Sequence, residues 1–140
     1  MIVLDTNVIA ELMKPQPDPV VLAWADGLDP AEVGITAMNE AEILHGIARL
    51  PEGRRRDALQ RSWEALVPSL LSDRVFAFHR EAAHWYGELL SRREQLGRPI
   101  ATADAVIAAI TLAQGAQLAT RNVGDFVDLG LELINPWNTP

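Results

Sequence analysis

Four acidic residues, widely separated along the chain, could together bind a divalent cation. Asp5, Glu42, Asp104 and Asp125 each follow or border an apolar segment. Carboxylate oxygens are the ligands that hard cations such as Mg²⁺ or Mn²⁺ prefer, and such ions bind phosphate esters and lower the pKa of a coordinated water. These residue types therefore indicate hydrolysis of a phosphodiester, provided that the fold brings the side chains together.

Two of these carboxylates lie in predicted helices. Asp104 is the single charged residue between Ala101 and Gln114, in a helix so apolar that we expect it to be buried on all sides. An ionised carboxylate is costly there unless a cation or a hydrogen-bond donor accompanies it. Glu40 and Glu42 project about 200° apart, so only one can face a cleft. We favour Glu42, which borders Ile43 and shares a helix face with Gly46, a small residue that would allow close packing.

Short apolar strands alternate with helices throughout the chain. The strands are predicted at residues 2–4, in EVGIT, in SDRVFAF, in AQLATRN, which has a polar exit, and in LELIN. This alternation predicts an α/β fold with a mostly parallel sheet and helices on both faces. Ligands of such sheets bind at the carboxyl ends of the strands. Asp5 follows the first strand, Thr36 the second, and Thr120, Asn122 and Asp125 follow the fourth.

Helices are predicted at residues 7–13, 19–27, 38–50, 58–70, 79–96 and 102–114. In the third of them we expect an inward apolar stripe formed by Ile43, Leu44, Ile47 and Leu50. The segment LPEGRRR is expected to interrupt the helices on either side of it. The arginine clusters 54–56 and 92–93 are expected to lie on solvated helix faces.

The composition is that of one globular domain spanning residues 1–140. Apolar residues make up 49% of the chain and charged residues 22%, and there is no cysteine, which excludes disulfides and thiolate chemistry. No signal peptide or membrane-spanning segment is predicted, so we expect a cytoplasmic protein without membrane contact. The net charge of −7 disfavours non-specific binding to nucleic acids. Divalent cations bound in an acidic cleft, or a basic partner protein, would offset that charge.

Each candidate residue also has a purely structural interpretation. Asp5 could simply cap the following helix, and Asp104 could complement a helix dipole. Glu42 could be an ordinary solvated residue, Asn122 a turn former and Asp125 a helix cap. The hypothesis of a shared site rests on their joint placement rather than on any one of them.

Four motifs in their order and spacing carry a resemblance to a known family. They are MIVLDTNVIAEL, NEAEILHGI, PIATADAVIAA and LATRNVGDF, with NPWN near the end of the chain. Over essentially its whole length the chain resembles PIN-domain ribonucleases of the VapC type. It is most similar to the branch that contains the FitB trafficking regulators and the plasmid-stability proteins.

The resemblance implies a five-stranded parallel sheet in the order 3-2-1-4-5, Mg²⁺- or Mn²⁺-dependent cleavage of RNA, and homodimers. It also implies an antitoxin partner that binds DNA and blocks the active site with a basic segment. Asp5 and Asp104 would be the metal ligands and Glu42 a further acidic member. Close relatives can carry an acid at the position of Asn122, so here either this amide or Asp125 would complete the catalytic set.

Two other classes of function remain open from the sequence. A phosphoacceptor domain with an aspartate nucleophile would need a lysine near the site, and the sole lysine is Lys14. A PIN-like fold that acts mainly by binding its antitoxin and DNA, with weak catalysis, would tolerate the amide at Asn122.

Overall fold

A computed structural model describes residues 1–138 and contains one five-stranded sheet. Its strands are β1 (Ile2–Leu4), β2 (Val33–Thr36), β3 (Val75–Phe76), β4 (Gln117–Ala119) and β5 (Leu133–Ile134). All neighbouring strands pair in parallel, in the order β3-β2-β1-β4-β5. This arrangement confirms the predicted fold class and strand order.

Helices cover both faces of the sheet, as predicted. They are α1 (Thr6–Leu12), α2 (Pro19–Asp26), α3 (Ala37–Ala48), α4 (Arg54–Ser69), α5 (Arg80–Gln95), α6 (Thr102–Ala113) and α7 (Val123–Phe126). Short 3₁₀ turns form at Pro30–Glu32 and Pro136–Asn138. No helix within residues 1–138 is long and apolar enough to cross a membrane.

The two faces of the sheet have separate hydrophobic cores. Val3 packs with residues of α5 and α6, whereas the adjacent Leu4 packs with residues of α1, α3 and α4. Successive side chains of a strand point to opposite faces, so β1 contributes to both cores. β1 is thereby fixed in the middle of the sheet, and Asp5 at its end is fixed with it.

Three sequence-based expectations about the helices were wrong. α4 begins at Arg54 rather than near Ala58, directly after Gly53, so the arginine cluster belongs to the helix. Leu44 is 41% exposed while Ile43 and Ile47 are buried. Leu44 follows Ile43 by about 100° around the helix and so points away from the sheet. Arg93 is only 3% exposed and therefore does not lie on a solvated face.

Candidate active site

Asp5 lies at the carboxyl end of β1, where it also caps α1. Its side chain is 5% exposed and accepts hydrogen bonds from the Thr6 backbone N–H at 2.8 Å and from Thr120 Oγ1 at 2.7 Å. A longer bond of 3.4 Å comes from Asn7 Nδ2. The capping interpretation is therefore correct, and the same bonds hold the carboxylate at the sheet edge where ligands of parallel sheets bind.

Asn39 is a buried amide that links two helix starts. Its Nδ2 donates to Asp5 Oδ1 at 3.3 Å and to Thr6 Oγ1 at 3.1 Å, while its Oδ1 accepts from Thr36. Thr36 Oγ1 accepts from the Asn39 backbone N–H in return, which closes a capping box at the start of α3. No role was predicted for this residue from the sequence, although the spacing Thr-x-x-Asn after a strand is the signal for such a box.

Glu42, one helical turn further along α3, meets the hydroxyl of Thr6. Thr6 Oγ1 donates to Glu42 Oε1 at 2.7 Å, so this glutamate faces the end of β1. The choice of Glu42 over Glu40 gains support from this contact. The reason given for it was wrong, because Gly46 is exposed and a Cβ there would meet no atom within 4 Å.

Burial dominates the electrostatics of Asp5. Desolvation raises the pKa of Asp5 above its ordinary value, while the hydrogen bonds from Thr120 and Thr6 lower it. The negative charge of Glu42 raises the pKa further. The net effect is a carboxylate that is firmly oriented and yet carries its charge at a cost.

Asp104 lies in the first turn of α6 and is partly buried. Burial and then the charges of Asp5, Asp125 and Glu42 raise the pKa of Asp104 to about 6. Four carboxylates from four separate segments therefore share one electrostatic environment. None of the ion pairs within residues 1–138 includes any of them.

Asn122 and Asp125 both follow β4 and are exposed. The backbone N–H of Asn122 donates to Thr120 Oγ1 at 3.1 Å, but the Asn122 side chain makes no capping bond to α7. Asp125 lies within α7 rather than before a helix, and it lines one cleft together with Asp104. Of the two residues, Asp125 is the one whose charge acts on Asp104.

The sequence model of the PIN-domain family matches residues 2–130 of this chain. The chain belongs to the PIN-domain family. Its curated relatives include the VapC ribonuclease Y4jK of Sinorhizobium fredii, 42% identical over 98% of both chains. The plasmid stability protein StbB of Pseudomonas syringae is 40% identical over 98% of this chain and 99% of its own. Toxin FitB of Neisseria gonorrhoeae is 36% identical over 99% of both.

Solved structures agree with this family assignment. A FitAB complex bound to a DNA fragment superposes with a TM-score of 0.91 at 35% identity, covering 100% of this chain and 98% of the other. VapBC2 of Rickettsia felis, bound to a DNA fragment from its promoter, gives a TM-score of 0.78 at 25% identity over 96% and 98%. The resemblance inferred from the four motifs is confirmed, including the branch.

The acidic site of this PIN domain has the chemistry that a hard cation requires. Within residues 1–138 no three acidic or histidine side chains lie close enough to form a complete ligand set. Mg²⁺ commonly binds through one or two carboxylates and keeps several waters, so two carboxylates suffice. Burial and then the charges of the neighbouring carboxylates raise the pKa of Asp104, and a bound cation would offset both effects. The residues therefore fit a hydrated divalent cation.

Proposed function

We propose that this PIN-domain protein is a Mg²⁺-dependent endoribonuclease and the toxin of a toxin–antitoxin pair. The observation that carries the proposal is the convergence of Asp5, Glu42 and Asp125 on Asp104, whose pKa they raise together with burial. An oxygen-only acidic cleft of this kind suits cleavage of phosphodiesters, and Mn²⁺ would serve in place of Mg²⁺. Relatives named as ribonucleases and as a toxin support the same conclusion.

Asp5 and Asp104 would hold the cation, directly or through water. When bound, the cation supplies Lewis-acid stabilisation of the phosphate and a lower pKa for a coordinated water. Glu42 and Asp125 orient the attacking water and accept its proton, and Asn122 donates a hydrogen bond to the phosphate or to that water. In-line attack would leave 5′-phosphate and 3′-hydroxyl ends.

The acidic charge of the protein fits a basic partner. A chain of net charge −7 gains little from unaided contact with polyanions, whereas a cationic segment would be attracted to the cleft at Asp5 and Asp104. Neighbouring structures are FitAB and VapBC complexes solved with DNA. We propose that a cognate antitoxin binds DNA, covers this cleft and inhibits RNA cleavage. We also propose that the toxin is a cytoplasmic homodimer.

A test of the nuclease compares the native protein with Asp5→Asn, using single-stranded RNA and saturating Mg²⁺. We expect the native protein to cleave and EDTA to stop it, because two carboxylates must hold the cation. Asp5→Asn should lose cleavage while its circular dichroism spectrum stays native. Asp26→Asn, an exposed acid at the end of α2, is the matched control and should cleave normally. Normal cleavage by Asp5→Asn would refute the assignment.

A weakly catalytic binding module is the second candidate. It is favoured by the amide at Asn122, where close relatives can carry an acid. In that case the purified protein would bind its antitoxin tightly and show no EDTA-sensitive cleavage. The phosphoacceptor alternative loses support from the position of Lys14. This lysine lies beyond the carboxyl end of α1, whereas Asp5 caps the amino end, and its Nζ pairs with Glu11 at 2.9 Å.

A further inference from the structure

Arg93 is a buried cation without an acidic partner. It lies near the end of α5, is 3% exposed, and takes part in none of the ion pairs within residues 1–138. Its Nη2 donates to the backbone carbonyl of Asp125 at 2.7 Å and to that of Val127 at 2.8 Å. A weaker bond of 3.5 Å joins Nη1 to the carbonyl of Arg98, and Nε has no partner. Burial of a charge without a carboxylate partner is costly. The backbone carbonyls that Arg93 binds are therefore the place to look for its role.

The segment that Arg93 binds is a short helix without a side-chain cap. α7 contains four residues, receives no side-chain cap from Asn122, and ends at Val127 in extended backbone. Phe126, 1% exposed, already attaches this helix to the core. The guanidinium instead binds the carbonyls at the carboxyl end of α7, where a helix favours positive charge. Nη2 alone donates to both carbonyls, which fixes the rotation of the helix as well as its position.

That rotation decides where the carboxylate of Asp125 points. Asp125 presents its carbonyl to Arg93 and its side chain to the cleft that Asp104 and Arg93 also line. Asn122 lies at the other end of α7, exposed and outside these contacts. We infer that Arg93 is a positioning residue that holds Asp125, rather than Asn122, as the fourth member of the acidic site. This inference rests on the proposed nuclease function.

A double-mutant cycle between Arg93 and Asp125 tests the inference in the full chain. Arg93→Lys keeps the charge, but its shorter side chain ends before the position of Nη2 and does not reach the two carbonyls, and Asp125→Asn removes the carboxylate. We expect each to lower kcat/KM for RNA cleavage by about 10- to 100-fold, as supporting residues of metal sites do. Because Arg93 acts through Asp125, Arg93→Lys should cause no further loss in the Asp125→Asn background.

A second readout does not depend on catalysis. Mn²⁺ binding to the full chain, followed by electron paramagnetic resonance, should weaken by a similar factor in Arg93→Lys, Asp125→Asn and the double variant. Arg80→Lys, exposed on the same helix, should change nothing. Leu89→Ala, a buried position of α5, is the control for lost stability and should lower Tm while leaving Mn²⁺ affinity intact at 25 °C.

The outcomes separate the two proposals. If the native protein shows no metal-dependent cleavage, the proposed function fails. If it cleaves RNA but Asp125→Asn is as active as the native protein, or if Asn122→Ala is the more damaging change, the inference fails alone. Additive losses in the cycle would also overturn it, because Arg93 would then act independently of Asp125. A loss of Mn²⁺ affinity in Leu89→Ala equal to that in Arg93→Lys would do the same, because Arg93 would then act only on overall stability.

Discussion

The two carboxylates assigned to the cation are held in opposite ways. Asp5 accepts hydrogen bonds from a backbone N–H, a hydroxyl and two amides, contributed by Thr6, Thr120, Asn7 and Asn39. The Asp104 carboxylate accepts none from the residues that the structure describes, and burial and three other acids raise its pKa to about 6. The fold itself orients Asp5, whereas no hydrogen bond from residues 1–138 orients Asp104.

This difference implies that function and stability conflict at Asp104 more than at Asp5. An ionised Asp104 destabilises the metal-free fold at neutral pH, since its pKa is raised relative to the unfolded chain. A bound cation would replace the repulsion between Asp104 and the other three carboxylates by attraction to the cation. At Asp5 the donors offset part of the cost of burial, so less is gained by removing its charge.

The largest expected effect comes from Asp104→Asn. Cleavage should fall by about 1000-fold or more, because one of two cation-holding carboxylates is lost. In EDTA at pH 7.5 the same variant should be more stable than the native protein by about 1–2 kcal/mol, with screening by solvent included. Urea unfolding measures the gain, and a gel assay measures the cleavage.

Asp5→Asn completes that comparison. It should lose cleavage equally but gain less stability, because an amide places donors against the donors of Thr120 and Asn39. An equal gain in both variants would show that the hydrogen bonds around Asp5 do not distinguish the two carboxylates.

Asn39→Ala should have the next largest effect, on the Asp5 side alone. It removes the amide that binds Asp5 and Thr6 and leaves the backbone N–H of Thr36 without its acceptor. We expect a 10- to 100-fold loss of kcat/KM and a loss of about 1–3 kcal/mol in unfolding free energy. Glu40→Ala, one residue along α3, is the control and should lose neither. A fully active Asn39→Ala would mean that Asp5 is oriented without it.

The sequence predicts the Asp5 side of the site better than the parts that support it. The end of β1 is recognisable because an apolar run meets an aspartate, and parallel strand ends converge by geometry alone. Asn39 was missed because an amide in a helix has the same sequence pattern whether it faces water or the core. Its burial depends on contacts with Asp5 and Thr6, which lie 34 and 33 residues earlier in the chain.

The burial of Arg93 could not be predicted from the sequence pattern either. Two adjacent arginines in an amphipathic helix predict a solvated face, and Arg92 is indeed exposed. The next residue is rotated by about 100°, which brings Arg93 under α7. Periodicity could not reveal this burial, because the carbonyls that accept its short hydrogen bonds belong to Asp125 of a four-residue helix absent from the apolar pattern and to Val127 just after it.

A further prediction concerns the pH dependence of stability. Asp104 binds its proton more tightly in the folded protein, so stability in EDTA should fall as pH rises from the ordinary value of 3.8 through about 6. The fall assigned to this residue is about 1–2 kcal/mol. Asp104→Asn should flatten the curve without abolishing it, since the raised pKa of Asp5 acts in the same direction. An unchanged curve in Asp104→Asn would contradict the coupling of the four acids.

The smallest effect is expected at Thr6, whose hydroxyl accepts from Asn39 and donates to Glu42 at 2.7 Å. Thr6→Val removes both bonds at nearly constant volume and frees the Glu42 carboxylate, so kcat/KM should fall by about 3- to 10-fold. Thr6→Ser keeps the hydroxyl and should stay within about 2-fold of the native protein. Because neither change reaches Asp104, the pH dependence of stability should survive both. A loss in Thr6→Ser without a loss in Thr6→Val would assign the effect to the methyl group, and the Asp5 side would then be held by packing rather than by hydrogen bonds.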